Sequence, residues 1–283
     1  MPLPLLVLYR ALAAGRSTEQ NRLNVTAALA SHALVADLRR ELEIDGRKGF
    51  LLAEASEWEP ERTAGWLGDA DAQEADAVLD FPRREALVAA DAAEVAGIVA
   101  TEGADADAMA VFLDSHDTDR LATSVADPAA RRALRVAQLL LPGVPVLYYG
   151  DEIDQSNATT GTGQDLAMRA PMAWDGSNEG GFTTGHAWFP ADPAFATVNV
   201  SAQLADPASM LNLVATLARL RATAGPEGGP VTVVDATVLA FTRGAGEAQV
   251  TVQVNLGEDE APTAGLGPWG YRVTGSAGVL LGS

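Results

Sequence analysis

Three apolar runs of strand length, Phe50–Ala53, Met109–Leu113 and Val144–Tyr149, each give way to charged residues and are separated by segments with helical spacing. This alternation constrains the fold more than any other feature. Strands that are apolar throughout and joined by helices pair in parallel, with both faces covered. The sequence therefore predicts an α/β domain. In that architecture the polar residues at the C-terminal ends of the strands collect on one rim, where substrates bind. The rim groups are Glu54 after the first run, His116 and Asp117 after the second, and Gly150-Asp151-Glu152 after the third.

Further elements fill the intervals. Apolar residues at Leu34, Val35, Leu38 and Leu42 predict a helix within Ala27–Glu43. A strand is expected at Ala77–Phe81 and one helix over Arg84–Thr101. The helix Pro128–Leu141 stops at Pro142-Gly143, a strong breaker pair. Val144–Tyr149 reads as a buried strand, and residues 150–206 as a long Gly- and Pro-rich loop. A loop of that length is unusual unless it serves a site. After the helix Pro207–Thr223, the run Gly-Pro-Glu-Gly-Gly-Pro at 225–230 marks a boundary. Strand signals alone follow it, at Val231–Val234, Val238–Thr242, Gln249–Asn255 and Tyr271–Thr274. The expected domains are 1–227, α/β, and 228–283, a small antiparallel β-sandwich.

Composition excludes several function classes. A net charge of −19 argues against nucleic-acid partners, which need clustered cations. The chain has no cysteine and three histidines, so thiol chemistry is ruled out and neither a metal centre nor a cofactor is expected. The start, Met1 to Arg10, is apolar but short and lacks a basic region, so it is a poor signal peptide. No run reaches membrane-spanning length. A cytoplasmic location with no membrane partner is expected.

Carboxylates converging on the rim of a parallel sheet suit glycoside chemistry. One carboxylic acid protonates the departing oxygen, and a second carboxylate attacks the anomeric carbon or activates water. A third binds sugar hydroxyls. Glu54, with a clean apolar run before it, stands out among these acids. Arg120 and Arg169 are candidates for orienting sugar or pairing with carboxylates, and Trp174 and Trp188 for stacking on sugar or packing the loop.

At these residues the chain resembles the α-amylase family of glycoside hydrolases, especially its α-glucosidase and oligosaccharide-hydrolysing members. Leu-Leu-Ala-Glu54-Ala is similar to the family's fifth-strand motif, and Phe112-Leu-Asp-Ser115-His116-Asp117 to its seventh, where asparagine is usual at Ser115. Leu141 to Ile153 resembles the eighth strand and its rim. Arg169-Ala-Pro-Met-Ala-Trp174-Asp, Gly181 to Gly185 and Trp188-Phe-Pro190 resemble the loop that follows. The strands from Val238 through Trp269 resemble the family's C-terminal β-domain. The resemblance implies the C-terminal half of a (β/α)8 TIM barrel, about strands 5–8. In its terms Glu54 is the proton donor, Asp117 the transition-state stabiliser, and His116 a hydroxyl-binding partner. Arg120 and Arg169 are substrate-binding candidates, and the substrate class is α-glucans or maltooligosaccharides.

The family's nucleophilic aspartate lies in a Gly-x-Arg-x-Asp motif before the proton donor, and no such motif precedes Glu54. If Leu5–Tyr9 is a degenerate fourth strand, Leu12 stands at the nucleophile position. The family's first half-barrel and calcium loop are then expected to lie before Met1. Four strands of an eight-strand barrel have two open edges. The chain is accordingly expected to be inactive alone, and to self-associate or pair with an N-terminal half-barrel. Two further expectations stand beside hydrolysis: a non-catalytic carbohydrate-binding or regulatory subunit, and a trehalose-forming or other glucosyl transferase.

Overall fold

The computed structural model describes residues 31–44, 47–55, 57–69, 73–158, 164–187 and 189–283. The apolar run Leu5–Tyr9, Leu12, Ser56 and Trp188 lie outside them.

A helix, α1, covers 31–41, followed by two short strands, β1 (Glu43–Ile44) and β2 (Arg47–Lys48), paired antiparallel. Four strands then pair side by side in chain order: β3 (Leu52–Ala53), β4 (Ala77–Leu79), β5 (Met109–Val111) and β6 (Val144–Pro145). Each neighbouring pair is parallel, in the registers Ala53 to Val78, Val78 to Met109 and Ala110 to Val144. Helices connect them: α2 (Pro60–Ala64), α3 (Phe81–Val88), α4 (Ala92–Glu102), α5 (Leu121–Ser124) and α6 (Pro128–Leu140). After α7 (Val200–Ala205) and α8 (Met210–Ala224) comes a second sheet. Its strands are β7 (Thr232–Val234), β8 (Val238–Arg243), β9 (Val250–Asn255), β10 (Tyr271–Gly275) and β11 (Gly278–Gly282), an antiparallel meander of five. The α/β domain followed by an antiparallel sheet is thus as the sequence indicates.

Three expectations need correction. The C-terminal part is a single sheet among the described residues, not a sandwich, because its second layer is helical. Leu239, Phe241, Val252 and Val254 share one core with Val95 of α4, Leu134 and Leu140 of α6, and Leu217 of α8. The helix Arg84–Thr101 is broken: Ala90 takes φ 57°, and Asp91 caps a new helix by accepting from the Glu94 backbone N–H at 2.9 Å. The stretch Val144–Tyr149 is a strand only at Val144–Pro145 and is not buried, since Val144, Leu147 and Tyr149 are exposed. β6 lies at the sheet's edge, where Pro145, having no N–H, is tolerated.

The seam between the sheets is held by arginines. Arg221 of α8 donates from Nη1 to the carbonyls of Leu139 (2.7 Å) and Leu141 (3.1 Å), and also bonds the Gly143 carbonyl. Arg243, at the end of β8, donates to Leu141 O at 3.1 Å and Pro226 O at 3.0 Å. The carbonyls of Leu139 and Leu141 lie at the end of α6, where the helix leaves acceptors unpaired and its dipole favours cations. Burial, and the neighbouring Arg243, lower the Arg221 pKa to about 10, so it remains charged at neutral pH. Gly143 turns the chain from α6 into β6 at φ 113°, where an added Cβ would lie 2.5 Å from Met109 O. No helix among the described residues is long and apolar enough to cross a membrane.

Candidate active site

The parallel sheet sends its rim groups to one end by construction, since parallel strands share a C-terminal end. Glu54 follows β3 directly and its side chain is exposed. His116 and Asp117 follow β5 in a loop turned by Ser115 and Thr118: the Ser115 N–H donates to Thr118 Oγ1 at 2.8 Å, and the Asp117 N–H to Ser115 Oγ at 3.1 Å.

Asp117 is gripped from two sides. Arg169 Nη2 lies 2.7 Å from its Oδ1, and His116 Nε2 lies 3.2 Å from its Oδ2. Arg169 Nε also donates to the His116 carbonyl at 2.9 Å. All three side chains remain about half exposed to solvent. Three residues picked out of the sequence, from two distant segments, are thereby in contact.

Arg120 is different. It is fully buried, which removes it from direct contact with a sugar. Its Nε donates to Met168 O at 3.0 Å and its Nη1 to Tyr149 O at 2.7 Å, and its guanidinium lies over the Tyr148 and Tyr149 rings, 4.6 and 4.9 Å from their centroids. It ties the loops after β5 and β6 to the segment that carries Arg169. Its position beside the motif suggested sugar binding, but an arginine's chemistry reads the same whether it faces a ligand or backbone carbonyls.

Beneath the rim lies a cluster of which the sequence reading picked out only Asp151, as a rim group. Asp114, buried, accepts the Leu121 N–H on Oδ2 at 2.6 Å. Asp151, buried, accepts the Tyr148 N–H at 3.0 Å and Arg135 Nη1 at 2.9 Å on its Oδ2. Burial pushes the Asp151 carboxyl well above the usual range; Arg135 opposes this and Asp114 adds to it. Gln138 Oε1 accepts from Arg135 at 2.7 Å, and its Nε2 donates to Val146 O at 2.7 Å. The available signal was Arg135 and Gln138, three apart on an otherwise apolar helix face. Glu152, also on this rim, accepts the Gly150 N–H at 2.8 Å. Trp174 is about half exposed, and its backbone N–H donates to Gly180 O at 2.7 Å.

Known proteins resemble this chain in sequence and in fold. The profile of the family described as "Alpha amylase, catalytic domain" matches residues 16–225. The amino acid transporter heavy chain SLC3A1 of Rattus norvegicus is 29% identical over 214 residues, 70% of this chain and 31% of that protein. An oligo-1,6-glucosidase of Parageobacillus thermoglucosidasius is 26% identical over 149 residues, covering 39% of this chain and 26% of the enzyme. Among solved structures, a trehalulose synthase MutB variant superposes with a TM-score of 0.67 at 19% identity, over 91% of this chain and 54% of its own. The chain therefore spans under a third of the length of these two curated relatives and about half of that solved neighbour. The chain belongs to the α-amylase family of glycoside hydrolases.

Proposed function

We propose that this chain forms one side of an α-glucoside site, with Glu54 as proton donor, Asp117 as stabiliser of the developing positive charge and His116 as a hydroxyl-binding partner. The observation that carries the reading is the exposed Asp117, held by Arg169 and His116 on the rim that Glu54 also reaches. A carboxylate in this position strengthens its bonds to sugar hydroxyls as the oxocarbenium-like charge grows. Arg169 neutralises Asp117 while the site is empty and is displaced, or shared, when sugar arrives. The reaction served is retaining cleavage of α-glucosidic bonds in maltose-like oligosaccharides, or transfer through the same carboxylates.

In this reading β3 to β6 are strands 5–8 of the family's barrel, residues 1–227 form its part of the catalytic domain, and 228–283 the β-domain. The outer edges of β3 and β6 then receive the other half, as an N-terminal half-barrel or a second copy. A proton donor works best when shielded from water, and a strand laid along β3 would cover Glu54. Without a nucleophile, Glu54 and Asp117 have no route to a covalent glycosyl intermediate, so the chain alone binds sugar without turning it over. Calorimetry with maltose, together with a mechanism-based glucosyl trapping reagent, tests this. Maltose binding abolished by Asp117→Ala, with no adduct, is expected. An adduct on the chain alone would overturn the inactivity, and no binding would overturn the site.

A second reading, a non-catalytic carbohydrate-binding or regulatory subunit, is favoured by one comparison. The relative matching 70% of this chain is named as a transporter heavy chain rather than a glycosidase. Restored turnover on adding an N-terminal half-barrel would exclude it.

A further inference from the structure

We propose that Asp114 and Asp151 share a single proton, and that this bond positions His116 and Asp117 by clamping the loop after β5 to the loop after β6. The inference builds on the sugar site described above and concerns what holds that site in place.

The argument begins with donors and acceptors. Asp114 spends Oδ2 on the Leu121 N–H, and Asp151 spends Oδ2 on Tyr148 N–H and Arg135. The remaining oxygens, Asp114 Oδ1 and Asp151 Oδ1, are buried and find no donor among the described residues. The two side chains lie within hydrogen-bonding reach of each other. Two ionised carboxylates offer only acceptors, so a buried contact between them is repulsive unless a proton lies between them.

Charge balance points the same way. The positive charge facing the pair is Arg135 of α6. The other groups around it do not change the count. Asp154 is paired with Arg131 at 2.7 Å, Gln138 is neutral, and burial raises the Tyr148 pKa, keeping its hydroxyl protonated. One guanidinium facing two carboxylates leaves a net negative charge in a poorly solvated place, and one retained proton removes it.

The consequence reaches the rim. Asp114 lies three residues before Asp117, and Asp151 anchors the turn that carries Tyr148 and Tyr149, whose carbonyl Arg120 holds. When the shared proton leaves, the two loops repel each other, and the pocket face formed by His116 and Asp117 loosens. Asp114 and Asp151 are positioning residues and do not touch sugar.

Asp114→Asn tests this directly. An asparagine keeps an acceptor for Leu121 and supplies a permanent N–H to Asp151, so it holds the clamp without a titratable proton. The measurement is the hydrogen-exchange protection of the Leu121 and Tyr148 amides between about pH 5 and pH 10, after correction for intrinsic exchange. Protection in the natural chain is expected to fall at least tenfold once the shared proton is lost, while Asp114→Asn stays flat across the range. Asp151→Asn provides a second isostere if the first does not fold. Protection that does not fall in the natural chain, or that falls equally in both isosteres, overturns the proposal. Maltose affinity followed over the same range separates the two readings. A clamp that behaves as expected in a chain that never binds maltose leaves the shared proton standing and removes the sugar site.

Discussion

The antiparallel sheet and the parallel sheet are both rich in Val, Leu and Ala, yet they are covered very differently. In the antiparallel sheet Leu239, Val252, Val254 and Val273 are completely shielded, packed against α4, α6 and α8. In the parallel sheet only the middle strands β4 and β5 reach that state. Its edges leave Leu52, Val144 and Leu147 about 40% exposed, with Phe50 at 67% beside them. Among the described residues, the difference follows from what backs each sheet. A meander backed by helices buries its apolar face within one chain. A run of parallel strands satisfies only its interior until something closes its edges, because each edge keeps unpaired N–H and C=O groups beside exposed apolar side chains.

The largest expected effect separates the two sheets. Leu239→Ala removes a fully buried side chain from the shared core and should cost about 2–5 kcal/mol. Leu147→Ala, at the open edge, should change stability by no more than about 0.5 kcal/mol. Urea unfolding midpoints at low protein concentration measure both. If Leu147→Ala costs as much as Leu239→Ala, the edge is covered in solution, and the cost should then grow with protein concentration if a second copy covers it.

The next effect tests a buried charged cluster that joins α3, α4 and the turn after α6. Asp80, Arg83 and Glu102 form a buried cluster in which Arg83 bonds both acids and donates to Pro142 O at 2.6 Å. As with Asp114 and Asp151, one guanidinium serves two carboxylates. Burial, opposed by Arg83, raises the Glu102 pKa to about 8 from 4.5. The folded state thus holds this proton more tightly than the unfolded chain. The stability it contributes is fully present below about pH 4.5 and is lost as pH rises through about 8. Glu102→Gln, which keeps a donor toward Asp80, should flatten the decline. The slope removed is at most one proton's worth, about 1.4 kcal/mol per pH unit. Equal slopes in the two proteins would show that the cluster is indifferent to this proton.

How much was legible follows the same division. β8, β9 and β10 match the expected strands to within a residue or two, because one buried face imposes alternation on the sequence. β11 escaped because it has no buried face: Val279 and Leu280 are exposed, so no periodicity marks them. The break at Ala90 hid in an alanine-rich stretch, although Asp91-Ala-Ala-Glu94 carries the spacing of a helix start. Val144–Tyr149 was misjudged because an apolar run looks the same at the edge of a sheet as in its centre. At the site, Asp117, His116 and Arg169 were legible as polar residues following apolar runs and in a long loop. Arg120 was misplaced because burial depends on which loops close over a side chain, and Asp151 met Arg135 through a contact across sixteen positions that no local pattern announces.

The smallest effect concerns the rim itself. Arg169 and Asp117 form a bidentate-capable but half-exposed pair, and such pairs contribute about 1 kcal/mol or less. Arg169→Gln should therefore leave the unfolding midpoint nearly unchanged, and high salt should mimic it by screening the pair. Maltose affinity should change far more than stability, because the same arginine fixes both the Asp117 carboxylate and the His116 carbonyl. A loss of stability approaching that of Leu239→Ala would mean that the rim belongs to the cooperative core, and the contrast between the two sheets would fail. A small loss, with sugar binding impaired, would place the site on half-exposed loops outside the cooperative core, at the end of the sheet whose outer strands leave apolar side chains exposed among the described residues.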